Sequence, residues 1–338
     1  MKVVIIGAGR MGVRHAQGID EMTEMSEICL TDISENSLID AAKAVANSKN
    51  PEKFRFMMAD DFAKLNETYD IAIIASTAGD RLETLSNVIQ KKVKHVLLEK
   101  PLGQSLEEVK RINEYLDKYP EVQSYVNFSM RLTPSLIQLK KDLQIIPQMI
   151  GPKTISVNTG AIGIGANGVH LLDMCFFLFD ANKATIVASE VEEIVIPSGR
   201  GTQFNDFGGW SVIKFYKDDL YQGKLLLSIS ATSTPFGPIE IIGSHGRIHY
   251  DEVRATRIDS LRNENSELPV YRYHGDYLPD VKKEFVSLSL SELTHFWLRN
   301  LINGERVLPE VKDSIAIHEV LFDWLSKSKT HSKLYPIT

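Results

Sequence analysis

Residues 2–6 read Lys-Val-Val-Ile-Ile and run straight into Gly7-Ala8-Gly9-Arg10-Met11-Gly12. An unbroken β-branched run marks a strand buried on both faces, as in parallel sheets covered by helices. A strand that ends in G-x-G-x-x-G and continues into a helical stretch, here about 11–21, leaves few folds open. Gly7 permits the tight turn, Gly9 presents no side chain to a phosphate, and Gly12 lets helix and strand pack closely. The N–H groups at the helix start, those of Arg10 and Met11 among them, then face an anion with the helix dipole behind them. A second short strand, 27–31, ends at Asp32, 20 residues after Gly12. A carboxylate there accepts hydrogen bonds from both hydroxyls of an adenosine ribose and repels a 2′-phosphate. The pattern therefore reads as a dinucleotide site that favours NAD over NADP.

The rest of the first half keeps the same rhythm. Ser34 can cap a helix over Ala41, Ala42 and Val45. Strands are expected at 54–58, 71–75, 96–98 and 122–126. Asp80 with Glu83, and Ser105 with Glu108, suggest capping boxes for the helices between them. Alternating strands and helices imply a doubly wound parallel sheet. After a helical segment near 127–152, with Pro134 at its start, one more strand and a helix over about 168–180, the chain turns strand-rich. Segments 184–196, 210–216, 224–231, 239–243 and 247–250 alternate partly in hydrophobicity, with turns at 217–219 and 244–246. The expected fold class is α/β: an N-terminal Rossmann domain over 1–124, then an α+β domain over 125–338 with a large, mainly antiparallel sheet open on one face. Two helices close the chain, about 291–302 and 310–327. The polar, aromatic stretch 251–285 yields no assignment.

Bulk properties narrow the function classes. The chain has 338 residues and a formal net charge of −6, which argues against a nucleic-acid partner. No stretch approaches the ~20 apolar residues of a membrane helix. The two cysteines, Cys29 and Cys175, sit in apolar runs and read as reduced thiols of a cytoplasmic protein. The histidines His95, His245, His249, His274, His295, His318 and His331 show no metal-ligand spacing, so no metal is expected. Asp60-Asp61 and Glu192-Glu193 read as solvated faces.

The fifth strand ends in Glu99-Lys100-Pro101. Ligands of open α/β sheets sit beyond the carboxyl ends of the strands, which puts Lys100 at that edge. A desolvated lysine there can trade protons with a substrate hydroxyl. From position alone, a solvated lysine at a strand end is slightly the favoured reading.

Together, the glycine turn with His15 after it, Asp32, Ser76-Thr77 and Glu99-Lys100-Pro101 resemble the glucose-fructose oxidoreductase / inositol dehydrogenase / MocA family. Asn127, Arg131 with Pro134, Ile150-Gly151, the run Gly168-Val169-His170-Leu171-Leu172-Asp173 and Gly243-Ser244-His245-Gly246-Arg247 extend the resemblance over most of the chain. It implies a cofactor lying along Ser76 and Thr77, with Glu99 near the nicotinamide ribose. It also implies Lys100 near the nicotinamide, often after a cis peptide, and His170 as an acid/base or orienting group. Asn127 and Arg131 become candidate substrate contacts. Family members that oxidise polyols commonly carry an aspartate four residues before the histidine. Here that position is Ala166, with Asn167 beside it; Asn167 could orient a hydroxyl but cannot take a proton. Asp173 shares a helix face with His170 and is the other candidate partner.

The resemblance implies a dehydrogenase of a sugar, cyclitol or nucleotide-sugar. It also implies a homodimer or homotetramer built through the C-terminal sheet. Two other readings stay open: an NAD-using lyase or glycosidase working by transient oxidation, and a non-catalytic dinucleotide sensor.

Overall fold

The computed structural model describes residues 1–198, 201, 203–269, 272, 276–328, 335 and 337–338. His274 and His331 lie outside the described residues. Two compact units are present. The first contains Met1–Leu132, Leu288–Ile315 and the last residues of the chain; the second contains Thr133–Ser287 and Ala316–Tyr335.

The first unit is built on six parallel strands: β1 (Lys2–Ile6), β2 (Glu27–Asp32), β3 (Phe54–Met58), β4 (Ile71–Ile74), β5 (His95–Leu98) and β6 (Gln123–Val126). Their order is β3-β2-β1-β4-β5-β6, the doubly wound arrangement expected from the alternating pattern. Helices α1 (Arg10–Ile19), α2 (Glu35–Val45), α3 (Ala59–Lys64), α4 (Arg81–Ile89) and α5 (Leu106–Leu116) connect them. Only the short α3 is absent from the sequence reading. Ser34 caps α2 by accepting from the Ser37 N–H.

Two of the expected caps differ from expectation. Asp80 adopts a left-handed conformation, φ +53°, and its side chain makes no cap hydrogen bond. Before α5, Ser105 does accept from the Glu108 N–H at 3.2 Å. Glu108, however, returns to the Gln104 N–H rather than to that of Ser105. The chain before the helix curls one residue further than a capping box requires.

The apolar core of this unit joins Val3, Ile5, Ile28, Leu30, Ile71, Ile73 and Leu97 to Ala16, Ile19 and Met22. Leu293, Trp297 and Leu298 complete it. They come from α8 (Leu290–Ile302), which packs on α1 almost 300 residues later in the chain. Close approach of the two helices requires Gly18, where any Cβ would collide with the Ser291 carbonyl.

The second unit carries an eight-stranded sheet. Its strands are β7 (Lys153–Thr159), β8 (Lys183–Pro197), β9 (Asn205–Lys217), β10 (Leu220–Ile229), β11 (Ile239–Ile242), β12 (Gly246–Asp251), β13 (Thr256–Leu261) and β14 (Val281–Glu284). The order is β14-β13-β12-β11-β7-β10-β9-β8, antiparallel except where β7 meets β10. Helix α6 (Pro134–Ile145) and the apolar helix α7 (Val169–Phe179) belong to this unit; α9 (Val311–Leu325) begins in the first unit and ends in this one. Phe176 and Phe179 pack on Phe215 of β9. The opposite face stays open, with Trp210, Leu226 and Ile242 exposed.

The unassigned stretch 251–285 supplies β13 and β14. Its inward groups are charged, which hid the strand pattern: buried Arg257 pairs with Asp259 and with Asp142 of α6. Glu192 is another departure, since its carboxylate accepts from the Ala231 N–H at 2.9 Å instead of facing only solvent. Cys29 and Cys175 are buried free thiols. Among the described residues, no helix is long and apolar enough to cross a membrane.

Trp297 is 2 % exposed and meets Tyr125 edge-on at 6.0 Å. Trp297→Ala should therefore cost about 3–5 kcal/mol. A lower urea midpoint, followed by the ellipticity of the whole chain, is the expected reading.

Candidate functional site

The glycine turn sits where the order of the parallel sheet reverses, between β1 and β4. Gly7 has φ +101°, and a Cβ there would stand 2.8 Å from the Ser76 N. A Cβ on Gly12 would lie inside the Gly7 carbonyl oxygen. Gly9 differs from both: a Cβ would meet nothing within 4 Å. Packing thus demands glycine at 7 and 12, whereas the described residues leave open space beside Gly9. A group that comes close to the backbone there fits that space, as a pyrophosphate would.

Arg10 and Met11 open α1, so their N–H groups lack intrahelical partners. The Ala8 N–H is already engaged. It donates to Asp32 Oδ2 at 2.7 Å, and the Ser34 N–H donates to Oδ1 at 2.9 Å. Asp32 therefore braces the glycine turn as well as standing at the end of β2. Each oxygen keeps a lone pair for a ribose hydroxyl.

Gly7, Asp32, Ser76 and Thr77 line one cleft of about 470 Å³ with Ile33, Gly79 and Asp80. Ser76 Oγ is buried there and has no hydrogen-bond partner among the described residues. An unsatisfied hydroxyl in a cleft is a further sign that a ligand completes the site. Sequence reasoning missed Arg81. Its guanidinium is 2 % exposed, donates to the Ser76 carbonyl at 2.8 Å and also to the Glu99 carbonyl. It ties the ends of β4 and β5 together. A signal existed, because a cation in the first turn of a helix opposes the helix dipole and needs another reason to be there.

Glu99 is fully enclosed. Its Oε1 receives the Asn127 side-chain N–H at 2.6 Å and lies 3.0 Å from His15 Nε2. Burial works against ionisation of Glu99. The His15 and Asn127 hydrogen bonds and the nearby charges of His15 and Lys100 outweigh it and hold the pKa at about 2. Lys100 is buried, and the Lys100–Pro101 peptide is cis. Arg131 is half-buried in a short 3₁₀ turn, Ser129–Leu132, just after Asn127. The first unit thus gathers Lys100, Glu99 and Asn127 on neighbouring strand ends.

The remaining candidates belong to the second unit. His170 is half-buried in the first turn of α7, and Asp173 is fully buried one turn on. Asn167 is exposed and donates to the Ile162 carbonyl at 2.8 Å. It lies in a π turn, Ile164–Gly168, that leads into α7. The group that shapes this turn is Asp206 of β9, 4 % exposed, which accepts from the Gly165 and Ala166 N–H groups. Sequence reasoning missed it, for nothing local to β9 announces a partner forty residues away.

Two outcomes follow. Gly9→Ala should leave the urea midpoint unchanged but weaken NAD binding at least tenfold by titration calorimetry, whereas Gly12→Ala should destabilise the fold itself. Glu99 is depressed on folding, so its stabilising contribution, on the order of 3 kcal/mol, is complete above the unfolded carboxylate value near pH 4.5. It is lost as pH falls toward 2, and Glu99→Gln should flatten that part of the stability–pH curve.

Residues 1–128 match the model of an oxidoreductase family with an NAD-binding Rossmann fold, GFO_IDH_MocA. The chain is 24 % identical to a myo-inositol 2-dehydrogenase of Thermotoga maritima, over 83 % of this chain and 86 % of that one. Among solved structures, a levoglucosan dehydrogenase in complex with NADH and levoglucosan shares the fold with a TM-score of 0.72 at 15 % identity, covering 98 % of each chain. A transcriptional regulator from Kluyveromyces lactis shares it with a TM-score of 0.71 at 11 % identity, covering 97 % of this chain and 92 % of that one. The glycine turn, Asp32 and Glu99-Lys100-Pro101 all lie within the matched residues, so the first 128 residues are similar to the NAD-binding Rossmann domain of that oxidoreductase family.

Proposed function

We propose that the protein oxidises a secondary alcohol of a sugar, cyclitol or nucleotide-sugar reversibly, with Lys100 exchanging the hydroxyl proton. The observation that carries this reading is a buried lysine next to an ionised, buried carboxylate at the C-terminal edge of the dinucleotide-binding sheet. When bound, NAD supplies a hydride acceptor at its nicotinamide C4. The chain supplies everything else. Gly9 and the start of α1 receive the pyrophosphate, Asp32 the adenosine ribose, and Ser76 and Thr77 line the way between. Glu99 stays charged and gives Lys100 a fixed counter-charge. His170 is the second candidate for moving a proton. Asn167, Asp173, Arg131 and Asn127 are candidates for holding substrate hydroxyls. Asn127 reaches them only through the side of its amide that does not serve Glu99.

The named activity of the Thermotoga maritima relative, on a cyclitol, supports the substrate class. The open sheet face with Trp210, Leu226 and Ile242 supports a homodimer or homotetramer. The two free buried thiols agree with a cytoplasmic setting.

The test is a panel of sugars, cyclitols and nucleotide-sugars, followed by NADH absorbance with NAD and NADP in parallel. Turnover should appear with NAD on at least one polyol and fall about 10²–10⁴-fold in Lys100→Met while NAD binding persists. Undiminished turnover in that variant would refute the role of Lys100. Binding of NAD with no turnover on the whole panel would favour a sensor.

A further inference from the structure

Ser76, Thr77, Gly79 and Asp80 line the dinucleotide cleft from a stretch between β4 and α4 that belongs to no helix or strand. Its shape therefore depends on ties to other parts of the chain. Arg81 holds the Ser76 carbonyl, as described above. A second tie comes from 260 positions away: the N–H of Ala78, which is 2 % exposed, donates to Thr338 Oγ1 at 3.1 Å. Thr338 is itself buried, and so is Ile337 before it. The Ile337 carbonyl accepts from the Gln104 side chain at 3.3 Å. Gln104 stands three residues after Pro101 in the loop between β5 and α5, and its own N–H is fixed by Glu108. One buried dipeptide thus touches both loops that follow β4 and β5. One loop carries Ser76 and Thr77; the other carries Glu99 and Lys100. All of these residues belong to the first unit.

We propose that Thr338 is a positioning residue: with Ile337 it straps the two loops together and sets Thr77 and the adjoining Ser76 for the dinucleotide. The reason lies in peptide planarity. The Ser76 carbonyl shares a rigid plane with the Thr77 N–H, and the Thr77 carbonyl shares the next plane with the Ala78 N–H. Arg81 pins the first plane and Thr338 pins the second. The two soft dihedrals of Thr77 are thereby held from both sides, and with them the direction of its side chain. Without the Thr338 hydroxyl, the buried Ala78 N–H would have to find another acceptor, because leaving such a group unpaired is costly. Turning it toward one would rotate the Thr77 carbonyl by the same angle. The Gln104 contact carries the same restraint to the loop that bears Lys100. The effect on the cofactor rests on the reading above that this cleft takes NAD; the strap itself does not.

Two variants separate the hydroxyl from the packing: Thr338→Val keeps the shape and removes the acceptor, and Thr338→Ser keeps the acceptor. The first measurement is hydrogen exchange at the Ala78 amide, by NMR on the full chain without cofactor. Exchange should be about tenfold faster in Thr338→Val, and as slow in Thr338→Ser as in the unaltered chain. Equal exchange in all three overturns the proposal, whatever the cleft binds. The second is calorimetric titration with NAD at a temperature where every variant is folded. The Kd should rise about tenfold in Thr338→Val, the size of one hydrogen bond, and return to the unaltered value in Thr338→Ser. A lower urea midpoint with an unchanged Kd would mean that Thr338 serves the fold alone, and would overturn the positioning role. Absence of NAD binding by the unaltered chain is a separate result, which would overturn the cofactor reading and this role together.

Discussion

The first turns of α1 lie so close to the sheet that residue 12 has no space for a Cβ beside the Gly7 carbonyl. Much else follows from that single close approach. It sets the helix with its N-terminus over the strand ends, which creates the anion site. It also fixes what the same helix face presents further along, at three-residue spacing. His15 comes to Glu99, and Gly18 admits the Ser291 backbone of α8. Gly12, His15 and Gly18 form one stripe whose members meet a strand, a buried charge and a helix in turn.

That geometry explains how Glu99 can be ionised with no access to water. A lone buried carboxylate would take up a proton, because desolvation favours the neutral form. Here the His15 imidazole and the Asn127 amide both meet Oε1, and the charge of Lys100 lies nearby, while Oε2 has no hydrogen-bond partner among the described residues. Arg81 adds a backbone tie between the ends of β4 and β5. Charge and chain geometry thus support each other at the C-terminal edge of the parallel sheet.

Much of this was legible before any coordinates. The strand–turn–helix context, Asp32 and Ser34 are local signals, and local physics carries them into the fold unchanged. The alternation of strands and helices implied a doubly wound parallel sheet, though not its strand order. What could not be read has one common cause, namely partners distant in sequence. Thr294 meets His15 across 279 positions, and Asp206 reaches the turn before α7 from 40 or more residues away. Asp80 looked like a cap because its spacing to Glu83 is right, but a left-handed backbone at that residue turns its side chain elsewhere. Strands β13 and β14 escaped notice because a buried Arg257 with two aspartates replaces the apolar alternation on which strand reading relies. The roles of His170, Asn167 and Asp173 toward a substrate are of the same kind, since chain position alone cannot show what they face.

The return of Leu288–Ile315 to the first unit bears on how the protein is made. A ribosome releases residues 1–132 long before α8 exists, so the emerging nucleotide-binding half lacks Leu293, Trp297 and Leu298 of its core and the Thr294 anchor of His15. The second unit waits in the same way for Ala316–Tyr335. Neither half can complete its core until its returning segment has left the tunnel, and each carries uncovered apolar surface until then.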